Sequence, residues 1–492
     1  MTGKTKSFGK QSAIYAAGII VGKLASFIML PVYTRYLTPA DYGVLELLSM
    51  TIDVVGMIAG IGIGAAVFKF YADAEDAPAK YRVISTAGVS AVVLAALTAA
   101  LGLLFAPLLT RLVIGEGTDP LYMRIFFLTY LFQSCEHVPM MLLRARQQAV
   151  RVVTRNVVRL VLNLSLSILF VVHFQMGVLG VLLSGLITGA LMAAVLSVYL
   201  VRSVGVGFSM DRFRAMVRFG SPMVLWTLGS FVLVFSDRFF LNHYVGISDV
   251  GLYALAYKFA FMLSALAFSP FDMVWEPHRY EVAKRSDAGE VYARVFLYMN
   301  VAVGLGALGI SLYVKDFLGI MADPGFHPAY RIVPLLLLAQ TFSHWVSYVT
   351  LGLFVSSNTR ALGPIAFLAV VSTLALNFLL VPRFGIVGAT YATVIAYALR
   401  FVWTYRSAQR HYPVPYGWGA VVRLYAIFGV AVALRWLVHP AHLPASLAWS
   451  TALMLASTAL VYLLILGGEE RGYVRAFFAR SLGGLSLGAS RA

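Results

Sequence analysis

Charge is what this chain has least of. Only 12% of its 492 residues are Asp, Glu, Lys or Arg, about half the share of a soluble domain. Long polar stretches are also missing, so no interruption is long enough to fold as a separate soluble domain. A single cysteine, Cys135, excludes an intrachain disulfide and leaves the redox compartment unreadable. There is no phosphate-binding P-loop, no zinc-ligand spacing and no Gly-x-Ser-x-Gly elbow. ATP-driven pumping would therefore need a nucleotide site in a partner chain.

What fills the space is apolar. Hydrophobic residues make up 60% of the chain and the mean hydropathy is +0.83, the composition of an integral membrane protein. The net charge of +17 could suggest nucleic acid. The basic residues, however, sit in short loops between apolar runs rather than in one basic arm, which excludes nucleic-acid binding. Lys4, Lys6 and Lys10 imitate the start of a signal peptide. The apolar run behind them, 12–33, exceeds the about 7–15 residues of such a segment, so it reads as an uncleaved first span.

Runs of about 20 apolar residues, the length that crosses a bilayer as a helix, occur fourteen times. They lie at 12–34, 43–68, 83–106, 120–143, 152–173, 176–201, 216–240, 250–276, 291–313, 330–356, 361–382, 385–405, 418–438 and 446–466. The expected fold is all-α and polytopic, with 14 transmembrane helices. Of the 38 lysines and arginines, 26 fall on the side of the N-terminus, 8 on the other, and 4 deep within spans. That asymmetry predicts both termini in the cytoplasm.

A repeat organises the spans. In PADYG (39–43) and ISDVG (247–251), Asp41 matches Asp249 and Gly43 matches Gly251, both 208 residues on. Tyr36 matches Tyr244 and Phe27 matches Phe235 at the same offset, as do Gly177–Gly180 and Gly385–Gly388. Phe8-Gly9 and Phe219-Gly220 need 211, so a small indel lies between. Spans 1–6 thus resemble spans 7–12. The expected domains are an N-terminal lobe (1–205), a C-terminal lobe (206–412), and helices 13–14 with a cytoplasmic tail (413–492). Two lobes of the same topology imply a pseudo-two-fold axis along the membrane normal and a cavity between them. Asp41 is expected to cap the second helix and Gly43 to relax its start.

Charges at mid-bilayer are costly, so they face a cavity or a partner. Lys23 and Asp53 have similar depths in spans 1 and 2, and either pair with each other or leave Lys23 to meet an anionic group. Lys258 sits among apolar and aromatic neighbours in AYALAYKFAF. Arg124, Arg159 and Arg400 complete the candidate cationic set, although Arg124 and Arg159 could instead snorkel to the interface. Asp237-Arg238 reads as an interfacial pair, and Glu136-His137 as a weak proton-relay candidate. Glu46, Asp53 and Asp272 are the candidate coupling or gating carboxylates. Gly56, Gly60 and Gly64 share one helix face, suited to close packing or a hinge. Pro31 and Pro222 are possible kink sites.

LPVYTRYLTPADYGVLEL (30–47), SDRFFLNHYVGISDVGLYALAYKFA (236–260) and LNFLLVPRFGIVGATYATVIAY (376–397) resemble the polysaccharide-transporter branch of the multidrug/oligosaccharidyl-lipid/polysaccharide exporter superfamily. That branch holds the Wzx-type O-antigen and exopolysaccharide flippases. The resemblance covers spans 1–12, and spans 13–14 match its fourteen-helix members. It implies two six-helix lobes rocking about a central cavity, and no enzymatic activity. It also implies an undecaprenyl-pyrophosphate-linked oligosaccharide as substrate. No cofactor is expected beyond a coupling cation, H+ or Na+. The expected partners are membrane lipids and polysaccharide polymerase or export machinery, with the chain itself a monomer in the inner membrane. Related lipid II flippases use basic residues in spans 1, 2 and 8; Lys23 and Lys258 are the counterparts by span, whereas span 2 carries Asp53 instead. A cation-coupled drug or metabolite antiporter is the alternative. An O-antigen ligase or polymerase would need large external loops, which are short here.

Overall fold

Backbone N–H and C=O groups have no water to bond inside hydrocarbon, so apolar runs of this length must satisfy them internally, as helices. The computed structural model describes residues 29–356, 358–438, 440, 442–468 and 471–472, and among these there are helices and turns but no strand. A helical segment at 29–36 leads into α1 (Pro39–Ala59), α2 (Ile63–Asp73), α3 (Ala77–Leu104), the short α4 (Ala106–Val113) and α5 (Pro120–Ala145). α6 (Ala149–Ser167) ends in a π-helical turn, Ile168–His173, before α7 (Gly177–Val204) and α8 (Met210–Tyr244). α9 (Ile247–Leu263) and α10 (Ser269–Val282) are joined by a second π turn, Ser264–Phe268. Then come α11 (Ala288–Met321), a 3-10 segment (Pro324–Arg331), α12 (Val333–Val349), α13 (Leu351–Val355), α14 (Leu362–His411), α15 (Trp418–Leu437) and α16 (Leu443–Leu464).

Among the described residues, ten helices are long and apolar enough to cross a membrane. There are eleven if Pro324–Arg331 and Val333–Val355, bent by 49°, form one span. This multi-pass character agrees with the sequence; the number differs from fourteen for physical reasons. The first expected span, 12–34, lies largely outside the described residues. Thr359–His411 counts once, although Gly385 at φ +56° breaks it into two helices between the expected spans 361–382 and 385–405. α5 is 26 residues long, but Gln133, Glu136 and His137 interrupt its middle and it is not among the ten.

The described chain divides into two compact units. One holds the residues up to Ala256 with Met321–Ala329 and Gly363–Ala396; the other holds Tyr257–Ile320, Tyr330–Leu362 and the residues from Tyr397 onward. The division falls within α9. In the first unit, Ile63, Ala66, Val67, Ile84, Ala87, Leu142 and Met216 form a buried core. In the second, Leu308, Leu312, Leu424, Phe428 and Leu453 do so. The second unit also carries an aromatic cluster around Phe296, Trp345, Phe401 and Trp418. At its edge the Trp345 ring N–H and the Tyr425 hydroxyl both donate to the buried Asn300 Oδ1.

Candidate transport site

The repeated corner is where the first unit becomes specific. Thr38 caps α1. Its hydroxyl accepts from the Asp41 N–H at 3.2 Å, while Asp41 Oδ2 accepts from the Thr38 N–H at 2.9 Å, a reciprocal capping box. Asp41 thus stands at the cap as expected. Gly43 has a different role from the relaxed start assigned to it: a Cβ there would lie 2.1 Å from the Ile247 carbonyl oxygen. The matching Gly251 would carry a Cβ 1.9 Å from the Pro39 carbonyl oxygen. Pro39 and Ile247, like Gly43 and Gly251, are 208 apart, so the two corners pack on each other reciprocally. That exchange of equivalent residues is what a local two-fold relation between them requires.

A second reciprocal contact lies further along. Gly62 and Gly220 each approach the other's carbonyl oxygen, at 2.2 and 2.4 Å from an added Cβ. Gly62 is reached through a break after Ala59, with Ile61 at φ +46° and Gly62 at φ +68°. Gly56 and Gly64 face Tyr130 and Met141 side chains, so this glycine run both packs and bends.

One turn beyond Gly43, Glu46 meets Arg238 of α8. Arg238 is completely buried and pairs with Asp237, as expected, but toward the protein interior. Hydropathy gave its depth near the end of the span but not the direction it faces. Its Nη1 donates to Asp237 Oδ1 and to the Val234 carbonyl, both at 2.7 Å, and its Nε lies 3.7 Å from Glu46 Oε1. The Tyr253 hydroxyl donates to Asp237 Oδ2 at 2.7 Å and Thr393 adds a longer bond at 3.3 Å. The Tyr253 and Phe235 rings stand 5.0 and 5.1 Å from the guanidinium carbon. Burying a guanidinium costs several kcal/mol unless it is paired and bonded on most sides; here two carboxylates and two rings surround it.

A second cluster joins α5 to α6. Glu136 is 2% exposed, and its Oε2 holds both Arg155 and Arg159, the latter at 2.9 Å. The two arginines are one helical turn apart on α6, so they share a face. Glu136 therefore clamps two cations, and no bond to His137 accompanies it among the described residues. Arg159 is committed to this clamp rather than snorkelling.

The other expected site residues are placed separately. Lys23 lies outside the described residues, and with it any pairing to Asp53. Asp53 is exposed and Arg124 is exposed near the start of α5, both in the first unit. Lys258 and Arg400, both half-buried, belong to the second unit, as does Asp272, half-buried on α10. Missed entirely was a buried pair in the second unit: Arg435 Nη2 donates to both Asp316 oxygens at 3.2 and 3.1 Å. Ser446 at 2.7 Å and Ser450 at 3.0 Å complete its bonds. The signal available was an arginine inside the apolar run AVALRWLV, which by its cost demands a partner. In the turn between α10 and α11, hydrogen bonds from Arg285 hold the Asp287 carboxyl below its usual range. Among the described residues no group of His, Cys, Asp and Glu is arranged to hold a metal.

A family described as "Polysaccharide biosynthesis protein" matches residues 8–278, more than half of the chain. The chain belongs to this family. Within the polysaccharide biosynthesis family's all-helical fold, solved structures give close spatial matches at low identity. The lipid II flippase MurJ in an inward closed conformation matches at a TM-score of 0.73 and 11% identity, over 92% of this chain and 99% of that one. An inward-facing multidrug resistance MATE transporter of the MOP superfamily matches at 0.61 and 14% identity, over 79% of this chain and 95% of that one. An uncharacterized membrane protein of Methanocaldococcus jannaschii is 24% identical over 207 residues, 40% of this chain. The match spans about 39% of that relative's length. The solved neighbours named are a flippase and a transporter, not enzymes.

Proposed function

We propose that this protein is a flippase for lipid-linked oligosaccharides, of the Wzx type, serving lipopolysaccharide or exopolysaccharide assembly. It carries an undecaprenyl-pyrophosphate glycan from the cytoplasmic to the outer leaflet by alternating access of two six-helix lobes, coupled to H+ or Na+. Both termini lie in the cytoplasm and the chain sits in the inner membrane. The observation that carries this reading is the greater reach of the flippase-like fold. It extends over nearly the whole chain, whereas the multidrug transporter leaves about a fifth uncovered.

The chemistry supports it. A glycan head group brings many hydroxyls and a pyrophosphate brings negative charge, each costing several kcal/mol in hydrocarbon if left unsatisfied. A polar, cationic path removes most of that barrier while the polyprenyl tail stays in lipid. Lys23, Lys258, Arg124 and Arg400 are the cations assigned to it; Arg159 serves only if Glu136 releases it. Glu46, Asp53 and Asp272 are assigned to coupling, where one charge crossing 100 mV supplies about 2.3 kcal/mol. Asp53, exposed about two-thirds of the way along α1, also suits a cation-coupled antiporter, the second reading.

Deleting the gene and locating the lipid-linked glycan tests the proposal. Accumulation confined to the cytoplasmic leaflet is expected, and unaltered surface glycan would refute it. Lys258→Ala should impair transport with the amount of folded protein unchanged. Cationic-dye efflux from vesicles, with glycan export intact, would instead favour the antiporter.

A further inference from the structure

We infer that the second unit contains a binding pocket for the phosphate head of a lipid, formed by α11, the Pro324–Arg331 turn and α15. A cavity of about 90 Å³ there is lined by Ser311, Lys315, Tyr330, Arg331, Arg435 and Trp436. One water needs about 10–15 Å³, so the space takes a group several times larger.

The charge in this pocket is unbalanced. Asp316 is committed to Arg435 and Ser446. Lys315 and Arg331 have no carboxylate within salt-bridge reach among the described residues; both instead flank the Tyr330 ring, at 5.6 and 6.0 Å. Two cations thus remain over one matched pair, and Arg435, 4% exposed, is a fixed wall. Lysine as a point charge and arginine as a planar fork are the side chains that bind phosphate best.

The surroundings point to a lipid. Trp436 is 44% exposed at the C-terminal end of α15, and tryptophan is enriched where membrane spans end. Val430, Leu434 and Leu437 follow along one face of α15 and are 60%, 38% and 77% exposed. That spacing makes an apolar track leading from the pocket, suited to an acyl or prenyl chain. The lysine and arginine asymmetry assigns this end of α15 to the outer side, so the ligand is a phosphate-headed lipid of the outer leaflet. A membrane phospholipid and a polyprenyl phosphate share that chemistry. The inference does not rest on the transport reading.

The test is lipid retention by the full chain, purified in detergent and followed by native mass spectrometry. The probes are phosphatidylglycerol, undecaprenyl phosphate and phosphatidylcholine. The wild-type chain should retain one or both of the first two over phosphatidylcholine. Lys315→Gln/Arg331→Gln should cut that retention about tenfold, as loss of charge-assisted bonds to phosphate predicts. Arg360→Gln/Arg423→Gln, two exposed positions elsewhere, should leave it unchanged. Selective retention of phosphatidylglycerol names a membrane phospholipid, and of undecaprenyl phosphate the polyprenyl lipid; both together support the shared chemistry. Retention no better than phosphatidylcholine overturns the inference. So does an unaffected Lys315/Arg331 variant, or an equal loss in the control variant. Because the assay reads no transport, either proposal can fail alone.

Discussion

Arg238 and Arg435 are both buried arginines paired with an aspartate that also accepts from hydroxyls, yet their surroundings differ in one respect. Arg238 is answered by two carboxylates, Asp237 on its own helix and Glu46 of α1, and lies among the Tyr253 and Phe235 rings. Arg435 is answered by one, Asp316, 119 residues away, and next to it stand two cations and a cavity. The comparison teaches how to separate structural charge from available charge. Where carboxylates equal or exceed guanidiniums, the cluster closes on itself. Where cations are in surplus beside open space, an anion is invited.

The sharpest way to break this comparison is to remove one carboxylate from each side. Asp316→Ala leaves Arg435 buried with only serines and a carbonyl, and should cost about 3–5 kcal/mol, as for any buried pair stripped of one partner. Asp316→Ala/Arg435→Leu should recover most of that loss, because the unpaired charge is gone. Asp237→Ala should cost less, about 1.5–3 kcal/mol, the range for hydrogen bonds to charged groups, since Glu46 still faces Arg238. Thermal midpoints in detergent order the three variants. Equal losses for Asp316→Ala and Asp237→Ala would show that Glu46, at 3.7 Å, offers Arg238 nothing.

Much of this was legible in the sequence, and the rest was hidden for a definite reason. Expected spans 176–201 and 418–438 coincide closely with Gly177–Val204 and Trp418–Leu437, because hydropathy directly reports helix length in a membrane. The 208-residue offset pointed to the corner at Asp41 and Gly43, and the capping role followed from local chemistry. What no local pattern carries is the partner. Gly43 meets Ile247 and Gly251 meets Pro39 only once the chain has folded. Arg238 looked interfacial because depth along a helix is readable while facing is not. The Asp316–Arg435 pair was invisible for the same reason, its members lying on different helices far apart in the chain.

The reciprocal corner gives a smaller, local version of the contrast. Gly251→Ala would place a Cβ 1.9 Å from the Pro39 carbonyl oxygen, forcing the helices apart at a cost of about 1–3 kcal/mol, as overpacking does. Gly429, in the middle of α15, has nothing within 4 Å of an added Cβ. Gly429→Ala should therefore stabilise by about 0.5–1 kcal/mol through helix propensity alone. If both substitutions moved the melting midpoint in the same direction, close approach at the corner would not be what selects glycine there.

The weakest effect belongs to an ion pair with neither burial nor surplus. Arg285 Nε and Nη2 donate to the two Asp287 oxygens at 2.8 and 2.6 Å, and both side chains are about half exposed. Those bonds hold the Asp287 carboxyl below its ordinary value, so its contribution is present above the unfolded carboxyl pKa of about 3.9. It fades as the pH falls through the lower folded value. Solvent and salt screen such a pair, so Asp287→Asn should leave the melting midpoint at pH 7 unchanged within error. A large drop there would mean that exposed charge matters as much as buried charge in this fold, and the distinction drawn between the two arginines would lose its basis.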